Sequence, residues 1–399
     1  MSKKILTIAS ILPVPGLISE NSLVIKYIQQ HLTKYPDDKF VVFRPSTYLP
    51  SIIGNFTKKS EQWKRHKEVA QLSNYQIEDL TVYILPYMSI GSIPILHSLL
   101  SYSAYFMNRL LLSKFCNMNI EIIHAHNLFP DGLIAYNLSR KFRIPYCLTL
   151  RDERRMLNNK LIRIIIARIL NNADYINTFS WLMKMKTESL FRIKVNLTSP
   201  GIHKSFFSKL VESNRSSEKI KFVSVANIVP IKNLESVLKA FSLLADHREI
   251  SYTIIGDGPE KERLIKMADE LKLSEKVSFQ PSIQNNLLAN ELVNYDIFIQ
   301  PSFKETFGLS YFEALACGLP VILTENTGAY YHIKDMDCYL VVDPYNIDDI
   351  KEKILISADR NWINRRKSIC KEAAFVANWG NYLNEINQSY LEAKGIEKK

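Results

Sequence analysis

Two glutamates, Glu305 and Glu313, stand eight positions apart in the stretch KETFGLSYFEALACGLPVI (304–322), with Gly308 between them. The run IFIQPS (297–302) reads as a strand, and Pro320 opens the next one. The segment between them therefore predicts a loop turning into a helix that runs to about Cys317. Main-chain N–H groups of Phe307, Gly308 and Leu309 at such a helix start suit an anion. Gly308 lets the backbone approach a ligand closely. In a continuous helix the two carboxylates would stand about 12 Å apart along the axis. That exceeds the roughly 5–9.5 Å carboxyl pair of a glycosidase. Carboxylates so placed suit the two ends of one elongated ligand with an anionic middle, which is the shape of a nucleotide sugar.

Other candidates are fewer. Gly256 and Gly258, in YTIIGDG (252–258), predict a tight turn at a strand end. His124 and His126, in IEIIHAH (120–126), are two apart and so share one strand face. They lack a third ligand in a clear motif, which argues against a metal pair. His124 reads as a packed or hydrogen-bonding ring and His126 as a cleft residue.

The elements that must position these groups alternate along the chain. Apolar, β-branched runs at 4–10, 40–45, 81–86, 120–126 and 145–150 are separated by longer helical patterns. A second series lies at 221–227, 252–258, 276–281, 297–302, 320–325 and 339–342. Such a pattern predicts α/β architecture with parallel sheets covered on both faces. With 399 residues, two domains are expected. The boundaries are set at 1–208 for the first domain, 209–220 for a polar linker and 221–375 for the second domain. A tail helix over 376–399 is expected to pack back towards the first domain through Tyr382, Leu383, Ile386, Tyr390 and Leu391. Two doubly wound, Rossmann-like sheets facing across a cleft would bind a ligand between the carboxyl ends of their strands.

Taken with those elements, PSFKETFGLSYFEALACGLPVI (301–322) resembles the E-x7-E motif of the retaining family 4 glycosyltransferases, which have the GT-B fold. The resemblance implies that Glu305 contacts the hydroxyls of a donor sugar and Glu313 those of the ribose. The amides of Phe307, Gly308 and Leu309 would meet the sugar and diphosphate. IIGDGPEKERLIKMADELKLSEKVSF (254–279) is similar to the family's G-x-G-P strand end and following helix, with Gly256 and Gly258 in it, and loops at Pro281–Ile283 and Glu305–Leu309 would shape donor choice. VSVANIVPIKNLESVLKAF (223–241) resembles its diphosphate-binding segment. There Lys232 matches the family's lysine, whereas Asn227 occupies the position of the usual arginine. EIIHAHNLFPDGLIAYNLSRKFRIPYCLTL (121–150) resembles the segment beside the acceptor pocket, with His126 in it. Arg151 and Asp152 follow, where the family often has histidine near the reacting sugar. Pro200-Gly201-Ile202-His203 replaces the usual Asn-Gly-Val-Asp, and Pro15 and Gly16 remain of a glycine-rich loop.

The expected activity is retaining, metal-independent hexosyl transfer from a nucleotide diphosphate sugar to a glycan or polyprenyl-linked acceptor, in bacterial surface polysaccharide assembly. Glu305, Lys232, His126 and Arg151 would serve the reaction, and no cofactor is expected. The departures at Asn227 and Arg151 motivate an alternative, a non-catalytic nucleotide- or glycan-binding subunit that supports a partner transferase. An epimerase or phosphorylase of the same fold is a third class.

A formal net charge of +11 calls for acidic partners. Nucleic acid is not favoured, because the basic residues are dispersed and no recognition motif is present. An anionic membrane surface fits two basic stretches of the first domain. KKSEQWKRHK (58–67) surrounds Trp63, and RDERRMLNNKLIRIIIARIL (151–170) mixes Arg154, Arg155, Lys160, Arg163 and Arg168 with Leu161, Ile164, Ile165 and Ile169. Cysteines 116, 147, 317, 338 and 370 form no C-x-x-C pair, which suits reduced thiols in a cytosolic protein. The start MSKKILTIAS lacks the long apolar region of a secretory leader. A cytoplasmic protein, peripheral on the inner face of the cell membrane, is therefore expected.

Overall fold

The structure, a computed structural model, describes residues 2–13, 22–48, 68–89, 94–151, 157, 159–208 and 219–395. Gly16, Asp152, Arg154, Arg155 and the stretch 58–67 lie outside the described residues. The chain forms two compact units. The first comprises Met1–Thr198 and Tyr382–Lys399, and the second comprises Ser199–Asn381. The first sequence boundary was set at 208, whereas the units divide between Thr198 and Ser199. Of the polar stretch 209–220, residues 209–218 lie outside the described residues, and Ile220 already opens a strand.

In the first unit the strands are β1 (Lys4–Ile8), β2 (Lys39–Tyr48), β3 (Asn74–Ile77), β4 (Leu80–Met88), β5 (Ile122–Ala125), β6 (Tyr146–Leu150), β7 (Tyr175–Thr178) and β8 (Asn196–Leu197). They form one sheet in the order β3-β4-β2-β1-β5-β6-β7-β8. All pairs are parallel except β3 with β4. Ile5, Leu6, Ile8, Ile122, Ile123, Tyr146 and Leu148 are fully buried, as expected of strands covered on both faces. Three strands were not read from the sequence. β3 is an antiparallel edge joined to β4 through Glu78 at φ 50, and its residues NYQI carry little apolar signal. β7 (YINT) and β8 (NL) are short and interrupted by polar side chains.

The second unit holds β9 (Ile220–Val225), β10 (Ile250–Ile255), β11 (Val277–Gln280), β12 (Ile297–Ile299), β13 (Val321–Leu323) and β14 (Tyr339–Val341). They form an all-parallel sheet in the order β11-β10-β9-β12-β13-β14. Its core is aliphatic and aromatic, with Phe222, Phe241, Ile254 and Ile299 at its centre. The architecture is α/β with two parallel-sheet domains.

The tail helix Trp379–Ala393 buries Tyr382, Leu383, Ile386 and Tyr390, and from Tyr382 onwards it belongs to the first unit. Spacing of 3, 4 and 7 places these side chains on one helical face. Tyr390 hydrogen-bonds Tyr27 of the helix Leu23–Lys34 at 2.6 Å, so this face carries a polar anchor as well as apolar area.

Candidate active site

In the second sheet the chain passes from β9 to β10 and β11 on one side, then returns to build β12, β13 and β14 on the other. The order reverses between β9 and β12, and open α/β sheets bind ligands at that switch point. The loops leaving these two strands carry Lys232 and Glu305, and their side chains form an ion pair, Nζ to Oε2. Each is 18% exposed, so the pair faces a partly dry environment.

Local chemistry fixes this meeting. Pro230 begins a single 3₁₀ turn, Pro230–Lys232, where its ring presets φ. Asn233 then adopts a left-handed conformation, which asparagine tolerates. Its amide donates to the carbonyls of Pro301 at 3.1 Å and Pro344 at 2.8 Å. The N–H of Phe303 donates to the carbonyl of Ile231 at 3.0 Å. The two loops are thus tied by one main-chain bond and the Asn233 side chain, and the ion pair forms on a fixed base. Glu305 also accepts from the N–H of Thr306 at 3.2 Å and forms a single parallel bridge with Thr327.

Three residues on, Gly308 has φ 87 and starts the helix Leu309–Ala316. A Cβ here would overlap the ring of Tyr311, which is itself locked by a 2.6 Å bond from its hydroxyl to the carbonyl of Gln300. Phe307 is buried and stacks on Phe312 at 4.7 Å. These aromatic anchors set the angle at which the helix start meets the switch point. Glu313 lies on this helix and is buried.

The loops after β9 and β10 interlock. Ala226 N–H donates to Ile255 at 3.1 Å, and Ile228 N–H donates to Asp257 at 2.8 Å. A Cβ on Gly256 would overlap the carbonyl of Ala226, so glycine is required where the two backbones meet. Gly258 follows against Ile228, and Asn227 is exposed at the tip between them. Pro281 and Ile283 lie in the loop after β11. That loop is joined to the previous one by the Ser282 N–H, which donates to the Asp257 carboxylate at 2.8 Å. The Lys261 ammonium and the Ser282 N–H hold that carboxyl down to about 2. Pro281 and Ile283, Gly256 and Gly258, Asn227 and Lys232, and Glu305 to Glu313 therefore follow the carboxyl ends of four neighbouring strands. Three inter-strand steps span about 14 Å, the scale of an extended ligand.

The remaining candidates belong to the first unit. His124 and His126 share a face of β5 and its end, and their rings stack at 4.2 Å. His124 bonds the Tyr390 hydroxyl through Nδ1 at 2.6 Å and Thr149 Oγ1 through Nε2 at 2.8 Å. Thr149 donates to Asn177 Oδ1, and Asn177 donates to Thr198 Oγ1, each at 2.8 Å. Burial pushes His124 down to about 3, so its ring is neutral. His126 was read as a cleft residue; the structure buries it to 1% exposure. Neither of its ring nitrogens has a hydrogen-bond partner among the described residues. Burial first, then His124 and Arg151, lowers its affinity for a proton. Arg151 follows β6, with its guanidinium 5.6 Å from the centre of the Phe179 ring. The structure thus brings Lys232 to Glu305 in one unit and His126 towards Arg151 in the other.

Sequence reasoning missed the Lys232–Glu305 pairing, because the partners are 73 positions apart and belong to different strand ends. It also missed the chain through Thr149 and Asn177. The available signal there was a polar residue inside the apolar strand YCLTL and two at the end of YINT. Cavity size does not locate the site: a cavity of about 730 Å³ opens at the start of β7, lined by Asp174, Tyr175, Asn196 and Glu385. Among the described residues, no three acidic, histidine or cysteine side chains could jointly hold a metal ion. No helix among them is long and apolar enough to cross a membrane.

Comparison with known proteins bears on the family and the fold. Residues 207–374 match the family described as Glycosyl transferases group 1. The chain is 24% identical over 225 residues to N-acetyl-alpha-D-glucosaminyl L-malate synthase of Bacillus anthracis, covering 53% of this chain and 58% of the relative. It is 27% identical over 239 residues to alpha-monoglucosyldiacylglycerol synthase of Acholeplasma laidlawii, covering 53% and 60% respectively. The matches thus span less than two thirds of these relatives. Sucrose-phosphate synthase from Thermosynechococcus elongatus superposes with a TM-score of 0.71 at 17% identity, over 99% of this chain and 100% of that one.

Proposed function

From a chain whose residues 207–374 match the glycosyl transferases group 1 family and whose two parallel-sheet domains have the fold of GT-B enzymes, we propose a hexosyl transfer reaction. The donor is a nucleotide diphosphate sugar, the acceptor is a glycan or a lipid-linked glycan, and the anomeric configuration is retained. The observation that carries this reading is the meeting of Lys232 and Glu305 at the switch point of the second sheet, beside the helix start that leads to Glu313.

In the reaction the bond between the sugar's anomeric carbon and the β-phosphate oxygen breaks. An acceptor hydroxyl oxygen bonds to the same face of that carbon, and its proton passes to the departing phosphate. Lys232 exchanges its carboxylate partner for the diphosphate and disperses the charge that develops there. Glu305, relieved of the lysine, takes the sugar hydroxyls, and Glu313 takes the ribose hydroxyls. Lys232 and the helix amides would do this without a metal.

The test is a screen of nucleotide sugars by thermal shift, followed by calorimetry on Glu313→Ala with the free nucleotide diphosphate. Loss of a charged acceptor from a buried hydroxyl pair weakens binding by about 1.5–3 kcal/mol. Unchanged affinity in a folded variant removes the ribose assignment. Asn227, where a second cation is expected, supports the alternative of a binding subunit without turnover. Release of nucleotide diphosphate in the presence of acceptor decides between them.

A lipid-linked acceptor gains support from the surface of the first unit. The helices Pro94–Leu100 and Tyr102–Cys116 expose Leu99, Phe106, Met107 and Leu110, the last at 81%, and Leu161 and Ile164 are exposed before and within the helix Arg163–Asn171. Exposed Arg109, Lys114, Lys160 and Arg168 lie among these elements. Apolar side chains beside basic ones suit the cytoplasmic leaflet of an anionic membrane. Sedimentation with anionic and neutral vesicles at low and high salt tests this. Equal, negligible binding to both favours a soluble acceptor.

A further inference from the structure

The first sheet has its own switch point. Its order runs outward from β1 through β2 on one side and β5 on the other, so the loops leaving β1 and β5 meet there. At that position lies Asp131, a carboxylate with no exposed surface. Its two oxygens accept from the N–H of Ser10 at 3.0 and 3.1 Å, and one of them also accepts from the Ser10 hydroxyl and the Asn127 amide, each at 3.2 Å. Asn127 in turn donates to the Ser10 hydroxyl at 3.2 Å. Ser10 is where the chain leaves β1, and the carbonyls of Leu12 and Pro13 beyond it are held as well. Arg44, a buried arginine on β2, donates from Nε to the carbonyl of Leu12 at 2.9 Å. The Tyr75 hydroxyl donates to the carbonyl of Pro13 at 2.8 Å. Side chains from two strands, β2 and β3, and from the turn after β5 therefore converge on the main chain at Ser10, Leu12 and Pro13.

We propose that Asp131 is a positioning residue: it fixes the exit of the chain from β1 at the first switch point and balances the charges of Arg44 and Arg151 beside it. This rests on the glycosyl transfer reading for its functional consequence, because the exit it fixes stands at the carboxyl edge from which the first unit serves the reaction. A buried carboxylate is costly unless fully hydrogen-bonded or paired. Here the cost is offset by donors that all belong to the exit of β1 or the exit of β5, so ionisation of the group and the shape of the exit are linked. The groups facing Asp131 are Ser10 after β1, Arg44 on β2, Tyr87 on β4, Asn127 after β5 and Arg151 after β6. Burial, the dominant influence, raises its carboxyl to about 7, against the pull of its hydrogen bonds and Arg151.

The experiment is hydrogen exchange of the full chain and its Asp131→Asn variant from pH 6 to 8, with donor turnover followed in parallel by release of UDP from UDP-glucose. The expected result is exchange at the Ser10 and Leu12 amides faster by about tenfold in the variant, with β6 amides unchanged. Turnover in the wild type should change with the ionisation of one group across that range, and the variant should lack this step. Exchange at Ser10 and Leu12 within about twofold of wild type overturns the proposal. So does a pH profile that the variant leaves in place. Absence of UDP release from the wild type with any nucleotide sugar counts against the transfer reading instead, and the exchange result still decides the role of Asp131. Should the buried change prevent folding, Asn127→Ala removes one donor and leaves the carboxylate intact. It should speed exchange at Ser10 alone, and no change there overturns the proposal.

Discussion

At the switch point of the second sheet a lysine and a glutamate meet with part of each side chain still open to solvent. At that of the first sheet a carboxylate is buried beneath main-chain donors, and the two histidines at the end of β5 are neutral and enclosed. Topology puts functional groups at the same place in both sheets, but the groups differ in what they can still do. Lys232 and Glu305 have charges that a ligand can redirect. Asp131 and His124 have every bond committed to the protein. On the proposed function, the second unit would be the half that meets the donor, whereas the first holds its switch point in shape by internal polar chemistry.

The largest expected effect breaks the second half of this comparison. Lys232→Ala should lower the rate of nucleotide diphosphate release by about 100-fold, since its charge matters most when the diphosphate departs. Affinity for the free nucleotide diphosphate should fall by less. Steady-state kinetics and calorimetry on the same preparation separate the two. Turnover that survives within about threefold would move leaving-group stabilisation to another cation, and Arg151 is the first to test.

The readability of the two halves differs for the same reason. Glu305, Gly308 and Glu313 were legible because one loop and one helix hold them within nine consecutive residues, and local spacing carries that information. The parallel strands were legible because burial on both faces leaves apolar runs such as KILTI and IFI. Asp131 and Arg44 were not, since a charged residue's burial depends on partners at Ser10 and Leu12, far away in the chain. His126 was read as a cleft residue from its place at the end of β5, whereas its burial involves Tyr27 of the helix Leu23–Lys34, whose ring centre lies 6.2 Å away and which no strand pattern encodes. The edge hairpin at β3 escaped because an edge strand needs no apolar alternation on its free side.

A smaller effect sharpens the first half. His124 is held neutral by burial, with a folded value of about 3 against an ordinary 6.5. The unfolded chain therefore binds more protons than the folded one between those values, and this ring's contribution to stability falls as pH drops through that window. At pH 5 the loss from this one ring amounts to about 2 kcal/mol. Other groups titrate nearby, and Asp131 acts in the opposite sense, because its raised value favours folding as pH falls from about 7. The difference between wild type and His124→Gln cancels those contributions. In urea unfolding the variant should be the less stable protein at pH 7.5, where it loses the bonds to Tyr390 and Thr149 in their present geometry. The gap should narrow by about 2 kcal/mol on moving to pH 5. A constant gap would show that the ring is not kept neutral.

The smallest effect concerns Asn227, the exposed tip between the loops after β9 and β10. It stands on the same row of strand ends as Lys232, but offers no charge. If the second unit works by redirecting charge, then Asn227→Arg adds a second cation where the resemblance to family 4 glycosyltransferases implies one. The position is open, so stability should stay within about 0.5 kcal/mol. A charge-assisted contact at a partly solvated phosphate should tighten nucleotide diphosphate binding by about threefold to tenfold. Because the new charge is exposed, that gain should shrink as salt rises from about 0.05 to 0.5 M. Turnover should rise only if departure of the diphosphate limits the rate. Calorimetry at both salt concentrations reads the outcome. A variant that binds no better at low salt would mean that the loop tip does not reach the diphosphate, leaving Lys232 as the cation on which this half depends.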